Sequence, residues 1–244
     1  MPATNVLLLP GMMCDARMWR VQVDALAVPT FVPDLVGSDN FPQMAATVLA
    51  DAPEEFALAG LSMGGILAFE IWRQAPQRIT HLALIDTNPL ADAPDRRSLR
   101  LEQIEQVLAG GLRELAIDSL KPLYLAASNR DNEALLETIL DMAMELGPEV
   151  FRQQSLALRN RPDSIETLSQ ISCPTTVICG REDTLCPVEY HEYMARRIPG
   201  AKLTIIEDCG HLASMEQPQI VTEELLRLFA QDPQTGITYA HQSG

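Results

Sequence analysis

The stretch Phe56-Ala57-Leu58-Ala59-Gly60-Leu61-Ser62-Met63-Gly64-Gly65 runs from a short apolar segment into a serine flanked by glycines. Ile66-Leu67-Ala68-Phe69-Glu70-Ile71-Trp72 follows, with no breaker until Pro76. The pattern predicts a strand, a tight turn and a helix, with Ser62 in the turn. Gly60 and Gly64 stand two residues to either side of it. A serine in a sharp, strained turn needs neighbours without β-carbons, so that strand and helix can approach closely. Such a turn lifts the hydroxyl above the sheet edge. It also aims the Met63 N–H, at the start of a helix, toward a reacting oxygen. The pentapeptide alone is a weak signal, since many such strings are Gly/Ser loops. The rest of the chain must supply a base, an orienting acid and a second oxyanion donor.

The chain has four histidines. His81 opens the apolar run Leu82-Ala83-Leu84-Ile85, which places it at the starting end of a strand, away from the site. His191, in Glu189-Tyr190-His191-Glu192, reads as part of a solvated helix face, and His241 falls in the C-terminal tail. His211 follows the strand-like Leu203-Thr204-Ile205-Ile206 and sits in Asp208-Cys209-Gly210-His211. Loops after strand ends are where sites assemble in open α/β sheets. By itself His211 would read as a loop residue held by local hydrogen bonds; beside Ser62 it is the candidate base. The acid should also follow a strand. Thr176-Val177-Ile178-Cys179-Gly180 is a buried-type run, and Asp183 comes just after it. Its role would be to fix the imidazole tautomer and stabilise the imidazolium. Glu182 is one residue away, and Asp86 also ends a strand, although it reads equally as a cap before Thr87-Asn88-Pro89. Asp183 is favoured. The second donor is the Met12 N–H, in the loop Pro10-Gly11-Met12-Met13 after the strand Val6-Leu7-Leu8-Leu9.

These motifs, in this order, resemble the α/β-hydrolases of the small bacterial carboxylesterase or lactonase kind. The resemblance runs through Leu7-Leu8-Leu9-Pro10-Gly11, the Ser62 stretch, Gly180-Arg181-Glu182-Asp183 and Gly210-His211, and so covers nearly the whole chain. It implies a mostly parallel sheet flanked by helices, with the triad in the order Ser62, Asp183, His211. Two departures stand out. Many relatives carry His-Gly where this chain has Pro10-Gly11. Many also begin with two extra antiparallel strands, for which Met1 to Asn5 leaves no room, so a sheet of about six strands is expected.

With 244 residues, 47% of them hydrophobic and 21% charged, the chain can bury a substantial core. No apolar run approaches the roughly 20 residues that span a bilayer. The N-terminus has no basic segment or signal-type cleavage site, so a cytoplasmic protein is expected. The five cysteines (Cys14, Cys173, Cys179, Cys186, Cys209) show no paired metal spacing and read as free thiols in a reducing compartment. A net charge of −15 and a pI near 4.6 argue against nucleic acid and anionic membranes as partners. No metal and no organic cofactor is implied.

Between Asp86 and Thr175 the strand pattern stops. Residues 96–107, 112–120, 133–146 and 149–158 read as helices, punctuated by Gly110-Gly111 and Gly147-Pro148. A helical insertion between parallel strands, on the side where strands end, must lie over the site. The expected organisation is a hydrolase core (1–91 and 166–233), a helical cap (92–165) and a flexible tail (234–244). Met13, Trp19, Leu123, Tyr124 and Leu212 are candidate pocket residues, and Leu125, Met142 and Met144 are further ones from the cap. The reading is a serine hydrolase of a small ester or lactone. Carbon–carbon bond hydrolysis, perhydrolysis on the same triad, or a ligand receptor without turnover are the alternatives. A substrate on an acidic acyl carrier would need a basic face. The only cluster available is Arg96, Arg97 and Arg100, with Arg152, Arg159 and Arg161 nearby. The favoured reading of that cluster is a solvated helix face paired with Glu102 and Glu105, and a carrier is not favoured.

Overall fold

The computed structural model of this chain describes residues 3–232. The expected tail at 234–244 and His241 lie outside the described residues. Six parallel strands form one sheet: β1 (Val6–Leu9), β2 (Thr30–Phe31), β3 (Phe56–Leu61), β4 (Ile79–Ile85), β5 (Thr175–Gly180) and β6 (Lys202–Ile206). Their spatial order is β2-β1-β3-β4-β5-β6. Before the sheet's midpoint come helices α1 (Arg20–Ala25), α2 (Phe41–Asp51) and α3 (Met63–Gln74). After β4 come α4 (Pro94–Gln106), α5 (Leu112–Leu115), α6 (Lys121–Tyr124), α7 (Glu133–Asn160) and α8 (Ile165–Leu168). The C-terminal part adds α9 (Val188–Arg197), α10 (Ala213–Glu216) and α11 (Pro218–Phe229).

The central strands are apolar on both faces because both faces are covered. Alternate residues serve opposite cores. Leu7, Leu9 and Leu58 join Phe41, Met44, Leu67 and Trp72 on one side. Val6, Leu8, Ala57 and Ala59 join Trp19, Val221, Leu225 and Phe229 on the other. Helix α3 is buried from Met63 to Trp72, as expected of a helix that is apolar all round. It can lie this deep only because its first turn carries glycine. A β-carbon on Gly64 would sit 2.2 Å from the Leu9 carbonyl oxygen, and one on Gly60 would sit 2.4 Å from the Gly64 oxygen.

The segment between β4 and β5 is helical, as its sequence predicts, and it breaks where glycine allows. Gly110 has φ +100° and Gly147, before Pro148, has φ +79°. Ile104, Val107, Leu112, Leu115, Ala143 and Phe151 pack together with Met13 of the loop after β1. Polar clamps fix the segment to the core. Gln154 accepts from the Met13 N–H at 2.8 Å and donates to the Leu35 carbonyl at 2.9 Å. Arg17 pairs with Glu145 at 2.8 Å. Among the described residues no helix is long and apolar enough to cross a membrane.

Candidate active site

Five loops converge at the carboxyl ends of the parallel strands. They carry Met12 after β1, Ser62 after β3, Asp86 after β4, Asp183 after β5 and His211 after β6. Ser62 has φ +54°, a left-handed conformation that costs a non-glycine residue of order 1–3 kcal/mol. The fold holds it there. The Ser62 N–H donates to the Ile85 carbonyl at 2.9 Å, and Thr87 Oγ1 donates to the Ser62 carbonyl at 2.8 Å.

Ser62, His211 and Asp183 form one hydrogen-bonded chain across 149 residues of sequence. Ser62 Oγ lies 2.8 Å from His211 Nε2, and His211 Nδ1 lies 2.8 Å from Asp183 Oδ2. The other Asp183 oxygen accepts from the Leu185 and Cys186 N–H groups at 2.8 and 2.9 Å. With both carboxylate oxygens engaged, the network assigns the proton on the imidazole to Nδ1 and leaves Nε2 to accept from the hydroxyl. Burial pulls the His211 pKa down, but the Asp183 charge and hydrogen bond outweigh it and leave it raised above 6.5. Tyr124 stacks on the imidazole, with ring centroids 6.1 Å apart, and its carbonyl accepts the His211 N–H at 2.7 Å.

Among the described residues Asp86 makes no hydrogen bond to the imidazole. Its two oxygens accept from the Gly180 and Ala213 N–H groups, each at 2.9 Å, and so tie the Asp183 loop to the His211 loop. Burial, followed by the Asp183 charge, pushes its pKa up to about 8. His191 corrects the sequence reading. It is fully buried rather than solvated. Its Nε2 accepts the Thr87 N–H at 3.0 Å and its Nδ1 donates to the Pro187 carbonyl at 3.2 Å. Burial lowers its pKa to about 4, so it is a neutral strut beneath the Ser62 turn. The polar flanks of His191 in sequence hid this, because helix α9 presents one buried face. His81 sits near the starting end of β4 and bonds the Gln231 carbonyl at 3.0 Å, far from these loops.

Among the described residues the Met12 and Met63 amides have no hydrogen-bond acceptor. Met63 directly follows Ser62 and Met12 lines the same pocket as Ser62, and unpaired backbone donors of this kind favour an oxygen ligand.

A pocket of about 450 Å³ opens over Ser62 and His211. Leu123, Tyr124 and Leu212 line it, whereas two other expected lining residues do not. Trp19 is fully buried in the core with Met18 and Leu61. Met13 faces a separate apolar cavity of only about 20 Å³. Of the further expected pocket residues, Met142 is fully buried and Leu125 nearly so, and Met144 is exposed. All five cysteines are free and buried, and burial raises every thiol pKa. Ligand atoms of Asp183, Cys186 and His211 lie within 4.8 Å of one another. The imidazole nitrogens and the carboxylate oxygens of that trio are already engaged, so it offers no free donor set for a metal.

The alpha/beta hydrolase family model matches residues 6–224, which is most of the chain. The chain belongs to the alpha/beta hydrolase family. The hydrolase resembles a thermophilic esterase from Thermogutta terrifontis, solved with malate bound, at 32% identity and a TM-score of 0.85. That match covers 92% of this chain and 88% of the esterase. It is 25% identical to the pimeloyl-[acyl-carrier protein] methyl ester esterase of Aromatoleum aromaticum, covering 91% of this chain and 98% of the relative. Its fold is also that of the enol-lactonase of Burkholderia xenovorans, with a TM-score of 0.85 at 22% identity and coverage of 95% and 93%. The chain is therefore a hydrolase of the alpha/beta type.

Proposed function

We propose that this hydrolase cleaves a small carboxylic ester or lactone through Ser62, His211 and Asp183. The observation that carries the reading is the hydrogen-bonded chain from Ser62 Oγ through His211 to Asp183 at the base of the pocket. His211 takes the hydroxyl proton as Ser62 Oγ attacks the carbonyl carbon. The Met12 and Met63 N–H groups receive the oxyanion, each worth roughly 3–4 kcal/mol if lost. The imidazolium then protonates the leaving alkoxide. Water, activated by His211, resolves the acyl-enzyme and restores the serine. Asp183 holds the tautomer and stabilises the imidazolium throughout. The inserted helices act as the cap that excludes bulk water from the pocket.

The names of relatives favour ester chemistry, and one of those proteins is named for an ester on an acyl carrier. A free small ester fits this chain better. Arg100, one of the three arginines of the cluster a carrier would need, is 7% exposed and lines the pocket rather than an open helix face. Arg152 is paired with Glu149. The test is direct. A fluorophosphonate should label wild-type protein at Ser62 and p-nitrophenyl acetate should turn over. Ser62→Ala should abolish labelling and cut turnover on the order of 10³-fold or more. Near-native turnover by Ser62→Ala would remove the assignment.

A further inference from the structure

The pocket above Ser62 holds an unbalanced charge. Asp92, Arg100 and Arg161 all line it, and each is at least nine-tenths buried. Arg100 Nε donates to Asp92 Oδ2, and Arg161 Nη1 lies 2.7 Å from Asp92 Oδ1. One carboxylate thus answers two guanidinium groups. Arg96, one turn before Arg100 on α4, lines the same pocket and adds a third positive charge. Asp92 is the one carboxylate among the lining residues. The pocket is therefore cationic in a chain whose net charge is −15.

The two buried arginines differ in how well they are satisfied. Arg161 also donates to the Leu90 and Leu158 carbonyls, each at 2.9 Å. Arg100 has no such support. Apart from its Nε bond to Asp92, its only other side-chain hydrogen bond among the described residues is a long one, Nη1 to the Met12 sulfur at 4.0 Å. Met12 belongs to the loop that carries the expected oxyanion donor, and Arg100 lines the same pocket as Ser62 and His211. Burial depresses the pKa of both guanidinium groups, the direction expected of charges that lack full compensation. Arginine remains charged even so, and its planar fork matches a carboxylate in two-point geometry.

We propose that the pocket recognises a second, negatively charged group on the substrate, a carboxylate seated on Arg100 and supported by Arg161 and Arg96. The substrate class is then a half-ester of a dicarboxylic acid, or a lactone bearing a free carboxylate. This rests on the ester-hydrolase reading above and narrows it. The anion completes an Arg–Asp–Arg cluster that the protein alone leaves one charge short. A neutral ester leaves Asp92 shared between Arg100 and Arg161 with no second anion, so neutral esters remain slow substrates.

The test compares half-methyl esters of the diacids from succinate to suberate with methyl pentanoate and dimethyl glutarate. Wild-type kcat/KM should favour the best half-ester by about ten-fold or more, the effect of one charge-assisted hydrogen-bonded pair. In Arg100→Met the preference should shrink to within about three-fold, and Arg100→Lys should restore part of it. Glutarate should compete at the wild-type site at least about ten-fold better than pentanoate, a measurement that does not depend on any variant folding. Equal kcat/KM for charged and neutral esters would overturn the carboxylate site while leaving the hydrolase reading intact. A preference that survives Arg100→Met would place the anion elsewhere and overturn it as well. Inorganic phosphate competing as well as glutarate would replace the carboxylate by a phosphate. Absence of both turnover and Ser62 labelling would sink the hydrolase reading, and this proposal with it.

Discussion

Gly64→Ala tests the link between the depth of α3 and the expected oxyanion donors. The new β-carbon would lie 2.2 Å from the Leu9 oxygen, 2.7 Å from the Leu9 carbon and 2.8 Å from the Pro10 oxygen. Ordinary contact begins at 3.4 Å, so about 1 Å of movement is required of backbone, not of a flexible side chain. Overpacking of this kind costs about 1–3 kcal/mol, and rigid backbone on both sides puts this case at the upper end. For a chain of this size, about 2–3 kcal/mol lowers Tm by roughly 4–12 °C. The displaced segment leads directly into Gly11 and Met12. A misplacement of about 1 Å at a catalytic group can cost about 10²-fold in rate. Gly64→Ala should therefore lose both stability and kcat, with a smaller change in KM. Gly200→Ala is the control. Its φ is +72° with nothing within 4 Å of the new carbon, so it should carry backbone strain alone and keep its kcat. Thermal unfolding and p-nitrophenyl ester kinetics read both effects. A Gly64→Ala protein with wild-type Tm and kcat would refute the close-approach argument.

Asp183→Asn should lower kcat on the order of 10⁴-fold by favouring the wrong imidazole tautomer, with the fold retained. Asp86→Asn should turn an amide N–H toward the Gly180 or Ala213 N–H, cost about 1–3 kcal/mol in a denaturant melt, and reduce kcat much less; the reverse ranking would move the acid to Asp86. His211 must be neutral to accept the serine proton, so kcat/KM should fall as pH drops through an apparent pKa above 6.5, and removing the Asp183 charge should shift that limb downward. A limb already below 6.5 in the wild type would contradict the raised histidine. The same raised pKa gives the folded state a stabilising contribution that is full below 6.5 and fades as pH rises through the folded value. Asp92→Ala should cost on the order of 3–5 kcal/mol, because it leaves Arg100 and Arg161 buried without their shared carboxylate; an unchanged melt would mean that water already screens the pair.

The local chemistry of the chain decided a great deal. Ser62 could be picked because a strand, a serine between glycines and a helix follow one another within a few residues, and each is a short-range property of the backbone. Asp183 and His211 could be picked because each closely follows a strand-type run, and parallel strands deliver their carboxyl ends to one edge. The breaks at Gly110 and Gly147 are equally local. Tertiary structure decided what covers each helix face, which periodicity cannot tell. His191 and Trp19 show this: one left the solvent for a place beneath the Ser62 turn, and the other left the pocket for the core. The arginines show it most clearly. The sequence grouped Arg100 with Arg96 and Arg97 on a solvated face paired with Glu102 and Glu105, but Arg100 is buried against Asp92, and Asp92 and Arg161 come from before α4 and after α7, so only the fold sets them around Arg100. A helical face facing solvent carries charge at little cost, whereas the same face turned into a pocket must find a counter-charge, and that difference in dielectric is invisible until the chain has folded.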